Sequence, residues 1–173
     1  MKLNIRRAGS GDEDHLALAG SATFLETFAG LLDGRAIVAH CQREHSAAAY
    51  ANFLSKGAAA WLVETEIGAG PVGFSLLDVP NLPGGKNDGS DLELKRIYLL
   101  SKFQGSGTGS ILMKLALEEA RSRGAQRLLL GVYTGNDRAR RFYTRNGFLQ
   151  IADRRFRVGD QDYDDVVLAR PTS

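Results

Sequence analysis

Residues 92–124 constrain the fold more than any other part of the chain. Leu94-Lys95-Arg96-Ile97-Tyr98-Leu99 is rich in strand formers, and Gln104-Gly105-Ser106-Gly107-Thr108-Gly109 follows with almost no side-chain bulk. Beyond Ser110, the apolar residues Ile111, Leu112, Leu115, Ala116 and Ala120 recur at helical spacing as far as Gly124. The pattern predicts a strand, a glycine turn and a helix. The first amides of such a helix have no internal acceptor, and its dipole favours negative charge at that end. Glycines allow positive φ and let those amides approach an anion closely. One reading is therefore a phosphate cradle. The other is a tight β–α turn that needs glycine for geometry alone. There is no Gly-Lys-Ser or Gly-Lys-Thr, and the glycines are spaced Gly-x-Gly-x-Gly, not Gly-x-Gly-x-x-Gly. That excludes a triphosphatase loop and a dinucleotide fingerprint. The turn also follows several strands, whereas a Rossmann fold carries it in its first βα unit.

The rest of the chain frames this turn. Leu3-Asn4-Ile5-Arg6 alternates like a short strand, and Ser10 and Glu13 have the spacing of a capping box at a helix start. A second helical stretch, broken or continuous, spans about residues 33–56, with Ser46 as a cap for its last piece and Gly57 as its end. Strands are expected at 60–64 and 72–77 with a hairpin turn between them, and again at 92–100. Pro80 to Gly89 reads as a loop. After the helix come a buried strand at 128–132, a short helix at 136–146, and two strands near 148–157 and 163–169. This order predicts a mixed α/β (α+β) sheet, with one parallel crossover near the glycine turn.

Composition narrows the partners. The 173 residues fit one domain with a real core. Lys plus Arg number 22 against 20 acids, so no broad attraction to nucleic acid or membrane is expected. The N-terminus turns charged before any apolar leader appears, and no run reaches the length of a membrane span. The lone Cys41 rules out an intrachain disulfide and agrees with a cytoplasmic setting.

Two motifs carry a resemblance. Gln104-x-x-Gly107-x-Gly109 resembles motif A of the GNAT acetyltransferase superfamily, Gln/Arg-x-x-Gly-x-Gly/Ala. Downstream, Asn136-x-x-Ala139-x-x-Phe142-Tyr143-x-x-x-Gly147-Phe148 is similar to the family's Asn-x-x-Ala-x-x-Phe-Tyr-x-x-x-Gly-Phe. The likeness covers residues 92–169 well and the N-terminal half mainly in its order of elements. Leu92 to Leu99, Leu130-Gly131-Val132, Val158-Gly159-Asp160 and Thr23 to Phe28 look like the PaiA-like spermidine/spermine branch.

The resemblance implies one GNAT domain over residues 1–173, with a mostly antiparallel sheet flanked by helices. It also implies direct transfer of acetyl from acetyl-CoA to a primary amine, such as a polyamine. Backbone groups of Ile97 and Leu99, with Tyr98 between them, would meet the pantetheine arm. Amides from Gln104 through Gly105, Ser106, Gly107, Thr108 and Gly109, with Ser110, would hold the pyrophosphate. Asn136 would touch the cofactor, cap its helix, or do both. Tyr143 is the candidate general acid for the thiolate; its alternative is a core aromatic. Glu93 is the candidate acceptor of the amine proton; its alternative is a strand-end partner of Lys or Arg. Strict alternation puts Glu93 on the face of Ile97 and Leu99, unless a bulge intervenes. Glu26 and Tyr98 are candidates for amine binding. Whether Glu26, Asp33, Glu64 and Asp91 converge on the acceptor is open. Peptide acetylation and a non-catalytic acetyl-CoA-binding domain are the competing functions, and a homodimer is common in the family.

Other residues are set aside. His40, Cys41 and His45 match no zinc spacing, so no metal is expected. His15 reads as surface and Trp61 as sheet core. The C-terminal arginines read as a solvated face, with Arg138 and Lys102 placed to meet the 3′-phosphate of coenzyme A.

Overall fold

The central strands of the sheet alternate between two faces, and that sets the architecture. The computed structural model describes residues 2–159 and 161–173. Asp160, part of the PaiA-like likeness, lies outside the described residues. The elements in order are β1 (Leu3–Arg7), α1 (Glu13–Phe28), α2 (Gly34–Glu44), α3 (Ala47–Ser55), β2 (Ala59–Thr65), β3 (Pro71–Asp78), β4 (Asp91–Leu99), a 3-10 turn (Ser101–Phe103), α4 (Thr108–Ser122), β5 (Arg127–Tyr133), α5 (Asp137–Arg145), β6 (Leu149–Val158) and β7 (Gln161–Pro171). The seven strands form one sheet in the order β1-β2-β3-β4-β5-β7-β6. Neighbours are antiparallel except β4 and β5, which run parallel and are joined through α4. The mixed sheet with one crossover expected from the sequence is the fold observed.

One face packs on α4. There Leu112, Met113, Ala116 and Ala120 meet Leu92, Leu94, Leu128, Leu130, Val166 and Leu168. The opposite face of β2 and β3 packs on α1 and α3, where Leu16, Ala19 and Tyr50 meet Leu62, Phe74 and Leu76. Gly73 of β3 is required by close approach, because a Cβ there would lie 2.6 Å from the Tyr98 carbonyl oxygen. Among the described residues, no helix is long and apolar enough to cross a membrane.

Helix starts follow local chemistry with one exception. Ser46 accepts from Ala49 N (3.1 Å) and caps α3, and Gly57 follows that helix at φ 87°. The capping box of Ser10 and Glu13 does not form, and α1 begins after Asp12 instead. Arg6 claims the Asp12 carboxylate with bonds of 2.7 and 2.9 Å, and Gly9 N adds a third. Glu13 turns to Gly11 N. A buried-edge ion pair from β1 thus outweighs a local capping motif.

Two features of β4 position the site. Its parallel seam with β5 has three rungs, Asp91 to Arg127, Leu92 to Leu128 and Glu93 to Leu129. Beyond Glu93 the strands part. Against β3, Leu77 pairs with Leu94 and Leu76 with Arg96, which leaves Lys95 as an extra residue. This bulge resets alternation. Leu92, Leu94, Ile97 and Leu99 share the α4 face, while Tyr98 packs with the α1 and α3 core.

Candidate active site

The parting of β4 and β5 opens a cleft of about 1080 Å³, walled by α1, α2, α4, α5 and the ends of β4 to β7. Its two halves differ in chemistry.

The first half is a set of unspent backbone groups. Gly105 and Gly107 adopt φ of 84° and 85°, and Gly107 caps α4 in the left-handed region. Gln104 N is used by Ser101 O, and the helix ladder resumes at Ser110 N with Gly107 O. The amides of Gly105, Ser106, Gly107, Thr108 and Gly109 donate to no acceptor among the described residues. Ser106 Oγ donates to Phe103 O (2.8 Å) and so accepts from Thr108 Oγ1 (2.8 Å), which braces the turn. Gln104, Gly105, Gly107, Gly109 and Ser110 line the cleft, whereas Ser106 and Thr108 do not.

The edge of β4 continues this surface. Leu100 N bonds Val72 O on β3. Antiparallel alternation then turns the polar groups of Tyr98 toward β3, and those of Ile97 and Leu99 toward the gap. Gln104 Nε2 takes the Leu99 carbonyl at 2.6 Å, so the Gln104 side chain secures the strand end. Asn136 caps α5 by accepting from Ala139 N (3.1 Å), and it also lines the cleft. Arg138 of α5 lines it too; Lys102 does not, and lies 5.9 Å from the Phe103 ring centre.

Tyr143 and Tyr98 stand where the halves meet. Tyr143 is held between the Phe142 and Phe148 rings. Its hydroxyl makes no hydrogen bond among the described residues. Burial, reinforced by the Tyr98 hydroxyl, raises its pKa above the usual phenol value, so it stays protonated. Burial raises Tyr98 as well, with Arg96 and Arg154 opposing and Asp165 adding.

The second half holds charged side chains. Glu93 lines the cleft, and its Oε2 accepts from Lys95 Nζ (2.7 Å) and Asn81 N (2.7 Å). The bulge sets Glu93 on the Tyr98 face, away from Ile97 and Leu99. Glu26 is not among the lining residues. Its carboxylate accepts from Ser101 N (2.8 Å) and Ser101 Oγ (2.7 Å), tying α1 to the 3-10 turn. Asp33 caps α2, Glu64 pairs with Arg6, and Asp91 with Arg127. Those acids do not converge on the cleft.

Three residues escaped the sequence reading. Asp165 of β7 is 6% exposed, and Arg96 of β4 and Arg154 of β6 stand on the same side of the sheet. Asp165 shares strand parity with Val167 and Ala169, and an acid at an apolar position was its one available signal. His40 and His45 also line the cleft, and Cys41 packs behind it. His40 stacks on Phe24 at 4.1 Å, and His45 Nδ1 meets Tyr50 Oη at 2.8 Å. Burial lowers the two histidines to about 4 and about 3.

Known proteins share this fold. The Acetyltransferase (GNAT) family profile matches residues 26–148. An uncharacterized N-acetyltransferase of Mycobacterium tuberculosis is 32% identical over 159 residues, covering 92% of this chain and 97% of that protein. Among solved structures, the PaiA N-acetyltransferase of Thermoplasma acidophilum in complex with coenzyme A superposes with a TM-score of 0.79 at 19% identity, over 99% of each chain. YncA of Salmonella typhimurium, a putative acetyltransferase solved with acetyl-CoA, gives 0.71 at 18% identity, over 100% of this chain and 95% of that one.

Proposed function

The chain belongs to the GNAT acetyltransferase family, and on that footing we propose that it binds acetyl-CoA between β4 and β5 and acetylates a small primary amine. The observation that carries this reading is the run of five unpartnered amides from Gly105 to Gly109, at the N-terminus of α4 and beside the open edge of β4. An anion at that position satisfies several orphan donors at once and is favoured by the helix dipole. Ile97 and Leu99 offer backbone groups to the pantetheine amides, and Asn136 and Arg138 border the same half. The whole chain acts as one acetyltransferase domain.

Bound acetyl-CoA supplies an acyl carbon open to attack by an uncharged amine: a C–N bond forms, the C–S bond breaks, the amine gives up one proton and the sulfur gains one. Tyr143 holds the proton that the sulfur receives, which its raised pKa keeps in place at neutral pH. Glu93 accepts the amine proton through Oε1, directly or by way of water, while Lys95 and Asn81 fix Oε2. Tyr98 lies between these two proton paths. A polyamine, the acceptor implied by the PaiA-like likeness, calls for several acids near the amine. Glu44, Glu93 and Asp165 line the acceptor half among arginines, while Glu26, Asp33, Glu64 and Asp91 are engaged elsewhere.

The test is acetyl-CoA consumption by the purified chain across small amines, spermidine, spermine and short peptides. Turnover with a small amine is expected. Tight acetyl-CoA binding with no turnover of any acceptor would overturn the enzyme reading in favour of a cofactor-sensing domain.

A further inference from the structure

Two groups of opposite charge line the acceptor half, and each keeps a buried polar atom without a partner, Asp165 Oδ1 and Arg96 Nη1. The Asp165 side chain is 7% exposed; its Oδ1 is buried without a partner, and Arg154 Nη2 stands 3.8 Å from Oδ2. The Arg96 side chain is 11% exposed; its Nη1 is buried without a partner, and Glu44 Oε2 stands 3.6 Å from Nη2. Both contacts are too long to be hydrogen bonds. Arg96 is held against the rings of Tyr50 and Phe53, 5.2 and 5.4 Å from their centres, and interacts with the Tyr50 hydroxyl, while its Nη1 stays unpartnered. Both groups act on the Tyr98 hydroxyl, Arg96 favouring its ionised form and Asp165 opposing it. Both therefore lie near the Tyr98 hydroxyl in the same cleft.

Charged groups withdrawn from water with polar atoms left unpartnered are unfavourable in an empty protein. They persist where a ligand completes them. A polycation satisfies Asp165 but sets a positive charge against Arg96. A molecule with an ammonium and a carboxylate satisfies both.

Resting on the acetyltransferase reading above, we propose that the acceptor is a short amine bearing a carboxylate, an amino acid or close analogue, with its carboxylate on Arg96 and its ammonium at Asp165. A guanidinium presents paired donors that match a carboxylate better than any single amide or hydroxyl does. The bound ammonium passes its proton to the acidic wall before its nitrogen attacks, as in the reaction above. Burial lifts Asp165 to about 6, with Arg154 opposing and Asp164 adding, so the anchor is ionised above that pH.

The test compares kcat/KM of the full chain for a set of L-amino acids, the matching carboxamides and spermidine, at pH 8. The acids are expected to exceed their amides by about 100-fold, the discrimination given by a charge-assisted pair. Spermidine is expected to fall below both. Arg96→Leu should shrink the acid-to-amide ratio to within about threefold, through KM. Arg96→Lys should keep part of the ratio. Acetyl-CoA affinity by calorimetry, unchanged in both variants, separates this from misfolding. Equal use of acid and amide by the wild type, a preference for spermidine, no turnover of any carboxylate-bearing amine, or a ratio that survives Arg96→Leu would each overturn the assignment. Absence of acetyl-CoA binding by the wild type would instead strike the acetyltransferase reading itself.

Discussion

Arg127 grips Asp91 across the first rung of the parallel seam, with Nε 2.9 Å from Oδ1 and Nη2 2.6 Å from Oδ2. Lys86 N adds a third bond to the carboxylate, whose side chain is 1% exposed. Asp91→Ala leaves Arg127 without its carboxylate, with only the Gly84 carbonyl at 3.1 Å among the described residues. Removing one partner of a buried pair costs about 3–5 kcal/mol, and partial exposure of Arg127 lowers the expectation here to about 2–3 kcal/mol. Urea unfolding at pH 7 measures it. Burial pushes the Asp91 pKa up, but the Arg127 and Lys86 bonds outweigh it and hold it below the ordinary value. Its contribution is therefore present above about pH 4 and lost as pH falls through the folded value.

Gly107 caps α4 at φ 85°, and a Cβ there would meet no atom within 4 Å. Gly107→Ala therefore acts through backbone strain alone, about 1–2 kcal/mol. Relaxing that strain turns the Gly107 and Thr108 amides away from the cradle. The dissociation constant of coenzyme A should rise at least about tenfold, as read by titration calorimetry. A smaller effect for Ser106→Ala is expected, because that hydroxyl braces the turn and faces away from the cleft.

Tyr143→Phe removes the hydroxyl and keeps the packing against Phe142 and Phe148. As general acid, Tyr143 is worth about 100-fold in kcat. Acetyl-CoA affinity should stay within about twofold. Pre-steady-state thiol release reports the step directly, and a variant with wild-type release would leave Tyr143 a packing residue.

Acid should unfold the protein by way of its histidines. His40 and His45 have folded pKa values of about 4 and about 3, below the ordinary value of 6.5. The unfolded chain thus binds more protons between pH 6.5 and 4, so their contribution is present at neutral pH and lost as pH falls. Asp165 has the opposite sign. Its folded value of about 6 lies above the ordinary 3.8, so the folded chain gains protons on acidification through that range. With two histidines against one aspartate, stability should drop by about 2 kcal/mol from pH 7 to pH 5. The shift of the urea midpoint between these pH values measures it.

Asp165→Asn removes a buried charge that has no hydrogen bond. It should raise stability at pH 7 by about 1–3 kcal/mol while lowering kcat/KM for the acceptor. Thermal unfolding and initial rates on one preparation give both numbers. The acid limb of kcat/KM near pH 6 should disappear with it. Loss of both stability and activity would mark Asp165 as structural.

The half proposed for the cofactor was legible in the sequence because its structure is local. Gly105, Gly107 and Asn136 act through backbone conformation and capping, which short spacings report. The acceptor half is assembled from distant strands. Asp165 sits in the run Asp162-Tyr163-Asp164-Asp165, which reads as solvated until the sheet covers one side of it. Arg96 looks like a surface cation until α3 brings Tyr50 and Phe53 over it. Glu26 and Glu13 look free to bind or cap until Ser101 and Gly11 claim them. The odds between two faces for Glu93 hung on one local irregularity that composition does not reveal.

That irregularity, the extra residue at Lys95, works as a frame shift in three dimensions. Upstream of it, odd-numbered positions of β4 look toward the charged half of the cleft; downstream, even-numbered ones do. Glu93, Arg96 and Tyr98 become neighbours on one wall although no even spacing joins all three. Shorten the strand by a single residue and every side chain on one flank changes sides at once. The division of labour in the cleft is thus written in the length of β4, and any sequence comparison that closes this gap will align the wrong chemistry.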